Sequence, residues 1–505
     1  MSVPAASALA ADLPALQVVI PLLTAPLVLL LRDPRLAWAA AMLASITTFS
    51  IAILLLDVWQ ASGDLNYAMG GWQAPYGIEL RIDAFTILLL LVTTGASTLA
   101  LAVSRANLDS EIPAERQHLF YTAWLLALTG MVGIVVAGDA FNIFVFMEVA
   151  ALASYILIAG GPQRQALTAV FKYLIMGTIG ATFYLIGVGL VYMMTGTLNL
   201  EDMEARIPLV TDLKPILVAG GFITVGLALK AAVFPLHVWL PNAYTFAPHA
   251  VTVFLAACST KVALYVLLRF DFSVFQGNLP GHDIQFAGFL MPLALLAIFA
   301  GSAVALFERN LKRLLAYSSI AQIGYILLGA SFVSATGLTA GIVHMFNHAL
   351  AKSALFVAVA CLAMRCGGLS LESIAGAGRR MPLTMAGFVL AGLSLIGVPG
   401  TAGFITKWHL VLAALDLGGP GIALVAAILI GSLMALVYIW RIIEIAYFTS
   451  APVSAGSIEG RTEAPMWMLA CLWLPALAGI YYGLQPQLPL ELASEAAASL
   501  LRHLQ

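Results

Sequence analysis

The sequence predicts an all-α polytopic membrane protein with about fourteen transmembrane helices. Of its 505 residues, 62% are hydrophobic and only 10% are charged, against about 25% charged residues in an average soluble domain. The mean hydropathy is +0.99, and apolar segments recur along the whole chain. This composition excludes a soluble enzyme with one anchor and a disordered protein. The net charge of -2 provides no basic surface for a nucleic acid.

The helices are predicted from apolar windows of about 19 residues, the length needed to cross ~30 Å of hydrocarbon. In chain order they lie near 15–31, 36–56, 84–103, 120–137, 141–160, 173–195, 215–240, 248–268, 286–306, 316–333, 337–364, 383–410, 419–440 and 466–483. Helices 1–3 form an N-terminal unit within residues 1–119. Residues 466–505 join helix 14 to an amphipathic tail that suits the membrane interface.

The basic residues predict the orientation, because short cytoplasmic loops carry an excess of Lys and Arg. Loops after odd-numbered helices hold fourteen of them: Arg32, Arg35, Arg105, Arg116, Arg164, Lys172, Arg309, Lys312, Arg313, Arg365, Arg379, Arg380, Arg441 and Arg461. Even-numbered loops and the two tails hold five: Arg81, Arg206, Lys214, Arg269 and Arg502. Odd-numbered loops are therefore predicted to be cytoplasmic, with both termini outside.

Four lysines remain, and all of them fall inside predicted spans: Lys230, Lys261, Lys352 and Lys407. An ionised lysine at mid-bilayer costs about 2.5–3.5 kcal/mol, so four cost on the order of 10 kcal/mol. Two explanations compete: the amines belong to an ion path, or they snorkel to the headgroups. Snorkelling fits the first three poorly, since each has a dozen or more apolar residues before it.

Glu148 is the one acid that the sequence places clearly among these lysines. It is either a structural counter-ion for Lys230 or a carboxylate whose ion pair is made and broken during transport. One carboxylate does not neutralise four amines, and an apolar interior disfavours the charged form of lysine. We therefore expect some of the amines to release and regain protons.

Two histidines extend this set. His344, His348 and Lys352 are spaced i, i+4, i+8 and share one helix face. A neutral imidazole passes a proton between its two nitrogens, which favours a relay. Two histidines at i, i+4 also suit zinc, but no third ligand accompanies them, so we predict no metal. The sequence has no Walker A motif, no GxGxxG opening a strand–helix unit and no cofactor-bearing cysteine cluster, so we predict no cofactor.

Predicted helix 7 is interrupted by Pro235 and Pro241, which follow Lys230 by five and eleven residues. Proline removes a backbone donor and clashes with the preceding turn. His237 and His249 flank the break between helices 7 and 8, where they are either gate or relay residues or simply interfacial.

Predicted helix 12 is interrupted at Gly397–Gly400, which contains Pro399 and precedes Lys407. Unwound backbone at membrane depth is tolerated where it is buried or lines a watery cavity. One broken helix in each half, each beside a charge, is typical of ion sites in transporters with inverted repeats. Ordinary proline kinks are the alternative, and Pro235, His237, Pro399 and Gly400 are the candidate gate residues.

Several segments together carry a family resemblance. They are NIFVFMEVAALASYILIA, LKAAVFPLHVWLPNAY, PHAVTVFLAACSTKVALYVLLR, NLKRLLAYSSIAQIGYILLG, HMFNHALAKSALF and GVPGTAGFITKW. Over roughly residues 80–440 the chain resembles the antiporter-like subunits shared by complex I and the Mrp-type multisubunit cation/proton antiporters, and it looks most like the D-type member of the latter. The resemblance implies two inverted five-helix repeats, helices 4–8 in residues 120–268 and helices 9–13 in residues 286–441.

The resemblance also implies roles for residues that match the family's motifs. Glu148 matches the helix 5 glutamate, and Lys230, Lys261 and Lys407 match the lysines of helices 7, 8 and 12. His344, His348 and Lys352 match the polar positions of helix 11. Some complex I relatives carry glutamate where this chain has Lys407, which favours the D-type assignment.

These observations leave three functional hypotheses. The leading one is a proton-translocating subunit of a sodium/proton antiporter in a bacterial inner membrane, assembled with other membrane subunits and without a catalytic site of its own. The alternative is a pumping subunit of an NADH:quinone oxidoreductase or a membrane-bound hydrogenase. The third is a membrane scaffold with no ion path, in which replacing Lys230 or Lys407 by methionine raises stability and leaves transport intact.

Overall fold

The computed structural model describes residues 5–275, 282–450 and 463–502. Within them the chain is almost entirely helical. The helices are α1 (Ala5–Leu30), α2 (Pro34–Ser62), α3 (Ala84–Glu111), α4 (Gln117–Val136), α5 (Ala140–Ala159), α6 (Gln165–Thr195), α7 (Leu200–Arg206), α8 (Lys214–Lys230), α9 (Trp239–Phe246), α10 (His249–Leu268), α11 (His282–Phe307), α12 (Leu311–Ser331), α13 (Ala335–Cys366), α14 (Ala377–Arg380), α15 (Pro382–Ile396), α16 (Ala402–Leu415), α17 (Gly419–Phe448), α18 (Met466–Leu484) and α19 (Gln487–Leu500).

The predicted fold class is confirmed. Twelve helices in the described residues are long and apolar enough to cross a membrane. Predicted helices 7 and 12 correspond to the broken pairs α8 with α9 and α15 with α16. The twelve spans and two broken pairs together account for the fourteen predicted segments.

The sequence prediction missed one piece of β-structure. Strands β1 (Leu65–Ala68) and β2 (Glu79–Ile82) pair antiparallel in the polar segment between α2 and α3. Each strand is only four residues long, which is too short for an alternating apolar pattern to stand out. Asp83 follows β2 directly and caps α3, because its side chain accepts a hydrogen bond from the backbone of Thr86.

Three helices form the centre of the protein. In the span that contains α10 and in α12, 94% of the most apolar 18-residue stretch is buried inside the protein. Helix α13 packs against α3, α10, α12, α16, α18 and α19. The amphipathic tail predicted for the interface forms α19, whose apolar residues pack against α3 and α13. Polar side chains in the middle of these helices, such as Lys261, Gln322 and His348, are therefore buried in protein and do not face lipid.

Helices α6 and α8 approach closely through two glycines. A Cβ on Gly180 would lie 2.8 Å from the carbonyl oxygen of Gly226, and a Cβ on Gly226 would lie 2.5 Å from that of Gly180. Small residues at both positions let the two backbones touch. This contact places Lys230, at the end of α8, against α6.

Candidate functional site

Glu148 and Lys230 form an ion pair inside the membrane region. The Nζ of Lys230 lies 3.0 Å from Oε1 of Glu148. Glu148 comes from the middle of α5 and Lys230 is the last residue of α8. The lysine side chain is 7% exposed and the glutamate side chain 29%. The carboxylate of Glu148 is thus partly accessible from outside the protein, whereas the amine of Lys230 is buried.

The end of α8 has an irregular backbone. Ala232 has φ 56°, a left-handed conformation that a residue with a Cβ rarely adopts and that costs on the order of 1–3 kcal/mol. Trp239 donates a hydrogen bond from Nε1 to the carbonyl oxygen of Leu229 at 2.9 Å and so bridges the break. Lys230 therefore sits where the helix is already interrupted.

A small cavity, lined mostly by apolar residues, lies between Lys230 and α10. It has a volume of about 40 Å³, and its lining includes Ser154, Tyr173, Lys230 and Ser259. One water needs roughly 10–15 Å³ of such volume, so the cavity has room for a few water molecules. Ser259 precedes Lys261 by two residues on α10. The cavity thus joins the ion pair to the helix that carries the next buried lysine.

Lys261, His348 and Lys352 form one cluster between α10 and α13. His348 lies within electrostatic range of both lysines. Lys261 donates a hydrogen bond to the carbonyl oxygen of Ala256 on its own helix. Lys352 donates to the carbonyl oxygen of Leu315 and to Oγ of Ser318, both at 2.6 Å. The protein therefore satisfies these amines with neutral oxygens.

His344 and His348, which share one face of α13, have their rings stacked against each other. Their rings are nearly parallel, with centroids 5.7 Å apart and an interplanar angle of 6°. His344 Nε2 lies 2.9 Å from Oε1 of Gln322 on α12, and neither ring nitrogen of His348 has a hydrogen-bond partner among the described residues. Within those residues, no group of three or more His, Cys, Asp and Glu side chains is placed to hold a metal.

Lys407 occupies the second broken pair. It donates hydrogen bonds to the carbonyl oxygen of Ile396, at the end of α15, and to Oγ of Ser432 at 2.8 Å. Its Nζ lies 4.8 Å from the centre of the Tyr325 ring. His344 lies within electrostatic range of Lys407. His344 thus stands between the cluster of Lys261, His348 and Lys352 and the amine of Lys407.

The candidate gate residues all lie in the two breaks. Pro235 and His237 fall between α8 and α9, and Pro399 and Gly400 fall between α15 and α16. His237 stacks on Phe234, with ring centroids 5.2 Å apart, and Pro235 and Pro399 are exposed. No described hydrogen bond links these four residues to a buried lysine. The structure shows both helix breaks, whereas a gating role for these residues remains a prediction.

The sequence does not predict two buried clusters of charged residues. The first contains Lys312, whose predicted position in a loop is wrong. The sequence places Lys312 in a cytoplasmic loop, yet it lies in α12, is 3% exposed and donates to the carbonyl oxygen of Ala247 at 2.7 Å. Glu111 is within electrostatic range of it and accepts a hydrogen bond from the backbone of His249 at 3.1 Å. Glu148 is therefore not the only buried acid, and it is more exposed than Glu111, whose side chain is 7% exposed.

The second cluster joins Asp83 to Arg269, which directly follows α10. Arg269 pairs with Asp83, and Arg81 lies 3.4 Å away from the same carboxylate. The sequence places Arg269 in a loop outside the span, but helical structure continues through Phe275 and buries it. Because 186 residues separate Arg269 from Asp83, no local sequence pattern predicts this pair.

We expect Asp83→Asn to destabilise the protein by about 3–5 kcal/mol, because it leaves the buried guanidinium of Arg269 without its partner. Burial alone would raise the pKa of Asp83, but Arg269 and Arg81 lower it from 3.8 to about 2. A depressed folded-state pKa stabilises the folded protein fully above the unfolded value and loses that contribution as pH falls through the folded one. Denaturant unfolding in detergent at several pH values measures the effect.

The matched control for this prediction is Glu372→Gln. Glu372 lies 3.9 Å from Arg309, and both side chains are 80% exposed, so its loss should change stability by about 0–1 kcal/mol. The difference between wild type and Asp83→Asn should shrink as the pH falls from about 4 towards 2. A difference that is constant with pH would contradict this assignment.

Comparison with known proteins gives one family match, two relatives and one solved structure. The chain matches the family model described as NADH:quinone oxidoreductase/Mrp antiporter, transmembrane, over residues 137–435. It is 38% identical to the N subunit of the NADH-quinone oxidoreductase of Desulforudis audaxviator, with 94% of this chain and 96% of that protein covered. It is 30% identical to the D subunit of the Na(+)/H(+) antiporter of Bacillus subtilis, with 96% of both chains covered. A chain of the Mrp complex from a Dietzia species superposes with a TM-score of 0.87 at 27% identity, covering 98% of both chains.

Proposed function

Because this chain belongs to the NADH:quinone oxidoreductase/Mrp antiporter family, we propose that it is the proton-translocating subunit of a multisubunit sodium/proton antiporter. The observation that carries this proposal is the ion pair between Glu148 and Lys230 beside the break in α8. Burying charged side chains at that depth costs free energy, so their presence indicates a functional role. Similarity to a D-type antiporter subunit and to a chain of an Mrp complex supports the antiporter assignment.

The proposed proton path follows the buried side chains in spatial order. A proton on Lys230, held there by Glu148, passes through the small cavity towards Lys261. From Lys261 it reaches the histidine pair and Lys352. His344 then connects the path to Lys407 at the break between α15 and α16. The path thus runs across the molecule through both proposed five-helix repeats, residues 120–268 and 286–441.

The partners of the amines support a role in carrying protons. Within the described residues, Glu148 is the only carboxylate within ion-pair distance of any of the four lysines. In the part of the chain that the structure describes, Lys261, Lys352 and Lys407 have only carbonyl and hydroxyl oxygens as hydrogen-bond partners. Such sites accept a proton on the amine without fixing it there, since no opposite charge holds the ion in place. Each lysine then changes the proton affinity of its neighbour.

The chain is an integral membrane protein. We place it in a bacterial inner membrane with the odd-numbered loops in the cytoplasm and both termini outside, as the distribution of basic residues favours. The side chain of Glu148 is 29% exposed, which leaves the carboxylate accessible to a neighbouring subunit. A charge on that neighbour would strengthen or weaken the pair with Lys230 and so couple the two proteins.

One observation favours a second candidate function. The relative that is 38% identical is named a subunit of an NADH-quinone oxidoreductase. In that setting the same proton path would be driven by a redox reaction in partner subunits. This chain would contribute the membrane path in both cases.

Purification of the native complex distinguishes the two. We expect mass spectrometry to identify small hydrophobic antiporter subunits, and the complex in sealed vesicles to expel protons in exchange for sodium. Subunits with flavin or iron–sulfur clusters, together with proton pumping that needs an electron donor, would replace the antiporter assignment by the redox one. A complex that moves protons under neither condition would refute both.

A further inference from the structure

A large apolar cavity lies between α2, α3, α13, α18 and α19, and none of the four buried lysines lines it. Its volume is about 560 Å³, within the range of about 300–1,000 Å³ that is typical of ligand sites. Phe49, Leu91, Phe346 and Leu474 are among the residues that line it. Leu474 is 68% exposed, so the cavity opens sideways at a surface that the span prediction places in the bilayer.

A polar cavity adjoins the apolar one at the end of α2. It has a volume of about 580 Å³ and shares Leu488 and Leu492 of α19 with its apolar neighbour. Trp59, Asp64 and Arg502 are among its lining residues. An indole at this level is typical of the membrane interface. The two cavities are therefore neighbours on α19, one mainly apolar and the other lined by charged side chains.

The charges of the polar cavity select the ligand. Asp64, Glu491 and Glu495 contribute three carboxylates, and Arg502 contributes one guanidinium. Arg502 lies 3.7 Å from Asp64, with side chains 62% and 38% exposed, so its guanidinium remains accessible. A purely anionic headgroup meets excess negative charge here, whereas a headgroup with both a phosphate and an amine matches both signs.

We propose that these two neighbouring cavities together form a phospholipid site that selects a zwitterionic, amine-bearing headgroup such as that of phosphatidylethanolamine. The phosphate binds Arg502, and the amine faces the carboxylates of Glu491 and Glu495. One acyl chain fills the apolar cavity between α2, α3, α13 and α18. This site is separate from the proton path, and its occupancy does not depend on the proposed transport function.

Native mass spectrometry of the purified, delipidated complex tests the proposal. Phosphatidylethanolamine and phosphatidylglycerol with identical acyl chains are added back at equal concentrations. We expect wild type to retain the first at least about tenfold more tightly, a difference of about 1.4 kcal/mol. Ala478→Phe, which places a ring in the apolar cavity, should remove that retention. Arg502→Gln and Glu495→Gln should each reduce the preference between the two lipids.

Leu477→Phe is the matched control, because Leu477 is 53% exposed on the same helix and does not line the cavity. It should retain the lipid as wild type does. Equal retention of both lipids by wild type, or unchanged retention in Ala478→Phe, would overturn the proposal. A partner subunit that cross-links to Leu474→Cys in the intact complex would also overturn it, since a protein helix would then occupy the cavity. If Ala478→Phe fails to assemble, the two headgroup variants decide the outcome.

Discussion

Replacing Glu148 with glutamine is expected to slow proton-coupled sodium efflux by roughly 5- to 150-fold, the range that a coupling free energy of 1–3 kcal/mol corresponds to. The amide keeps the shape of the side chain but removes the charge that lies 3.0 Å from Lys230. The proton on Lys230 then loses the one carboxylate that pairs with it. Sodium-dependent proton release from vesicles that contain the whole complex measures the rate.

The same experiment includes Lys230→Met and the double variant. Residues that act as one pair are not additive, so the double variant should be no slower than the slower single variant. Glu201→Gln and Lys172→Met are the controls, since both residues are exposed, and both should retain the wild-type rate. Wild-type efflux in Glu148→Gln and in Lys230→Met would leave the scaffold hypothesis as the better account of the buried charges.

Local signals in the sequence were sufficient to predict the helices and their interruptions. The prolines after Lys230 and the Gly397–Gly400 segment predict breaks that the structure shows between α8 and α9 and between α15 and α16. These signals are local, because proline and glycine change the backbone where they stand. Gly397, at φ 87°, ends α15 in the left-handed conformation that glycine adopts without strain. The fold class could also be predicted, because hydropathy is likewise a local property of the sequence.

The missed features depend on contacts between distant parts of the chain. Hydropathy windows end at a charged residue and so place Arg269 and Lys312 in loops, although the structure buries both. Each is tolerated because a partner from another element satisfies it: Asp83 for Arg269, and the carbonyl oxygen of Ala247 for Lys312. A single sequence, read without the structure, does not reveal which distant residues pair. The roles of the lysines and histidines in transport remain predictions.

Lys407→Arg tests whether the second broken pair carries a proton or only a positive charge. Arginine does not release its proton in proteins, so it keeps the charge of Lys407 but does not pass a proton on. We expect Lys407→Arg and Lys407→Met to slow efflux equally, by more than about tenfold, which corresponds to a barrier increase of about 1.4 kcal/mol. Lys172→Arg, at an exposed position, is the control for the larger side chain.

Stability measurements complete this test, because Lys407 and Lys230 differ in what their removal leaves behind. The partners of Lys407 are the neutral oxygens of Ile396 and Ser432, so Lys407→Met leaves no buried charge and should unfold no more easily than wild type. Lys230→Met leaves the carboxylate of Glu148 without its partner and should unfold more easily. If Lys407→Arg transported protons at the wild-type rate in a stably folded complex, Lys407 would be a fixed charge and the proton path would have to end before α16.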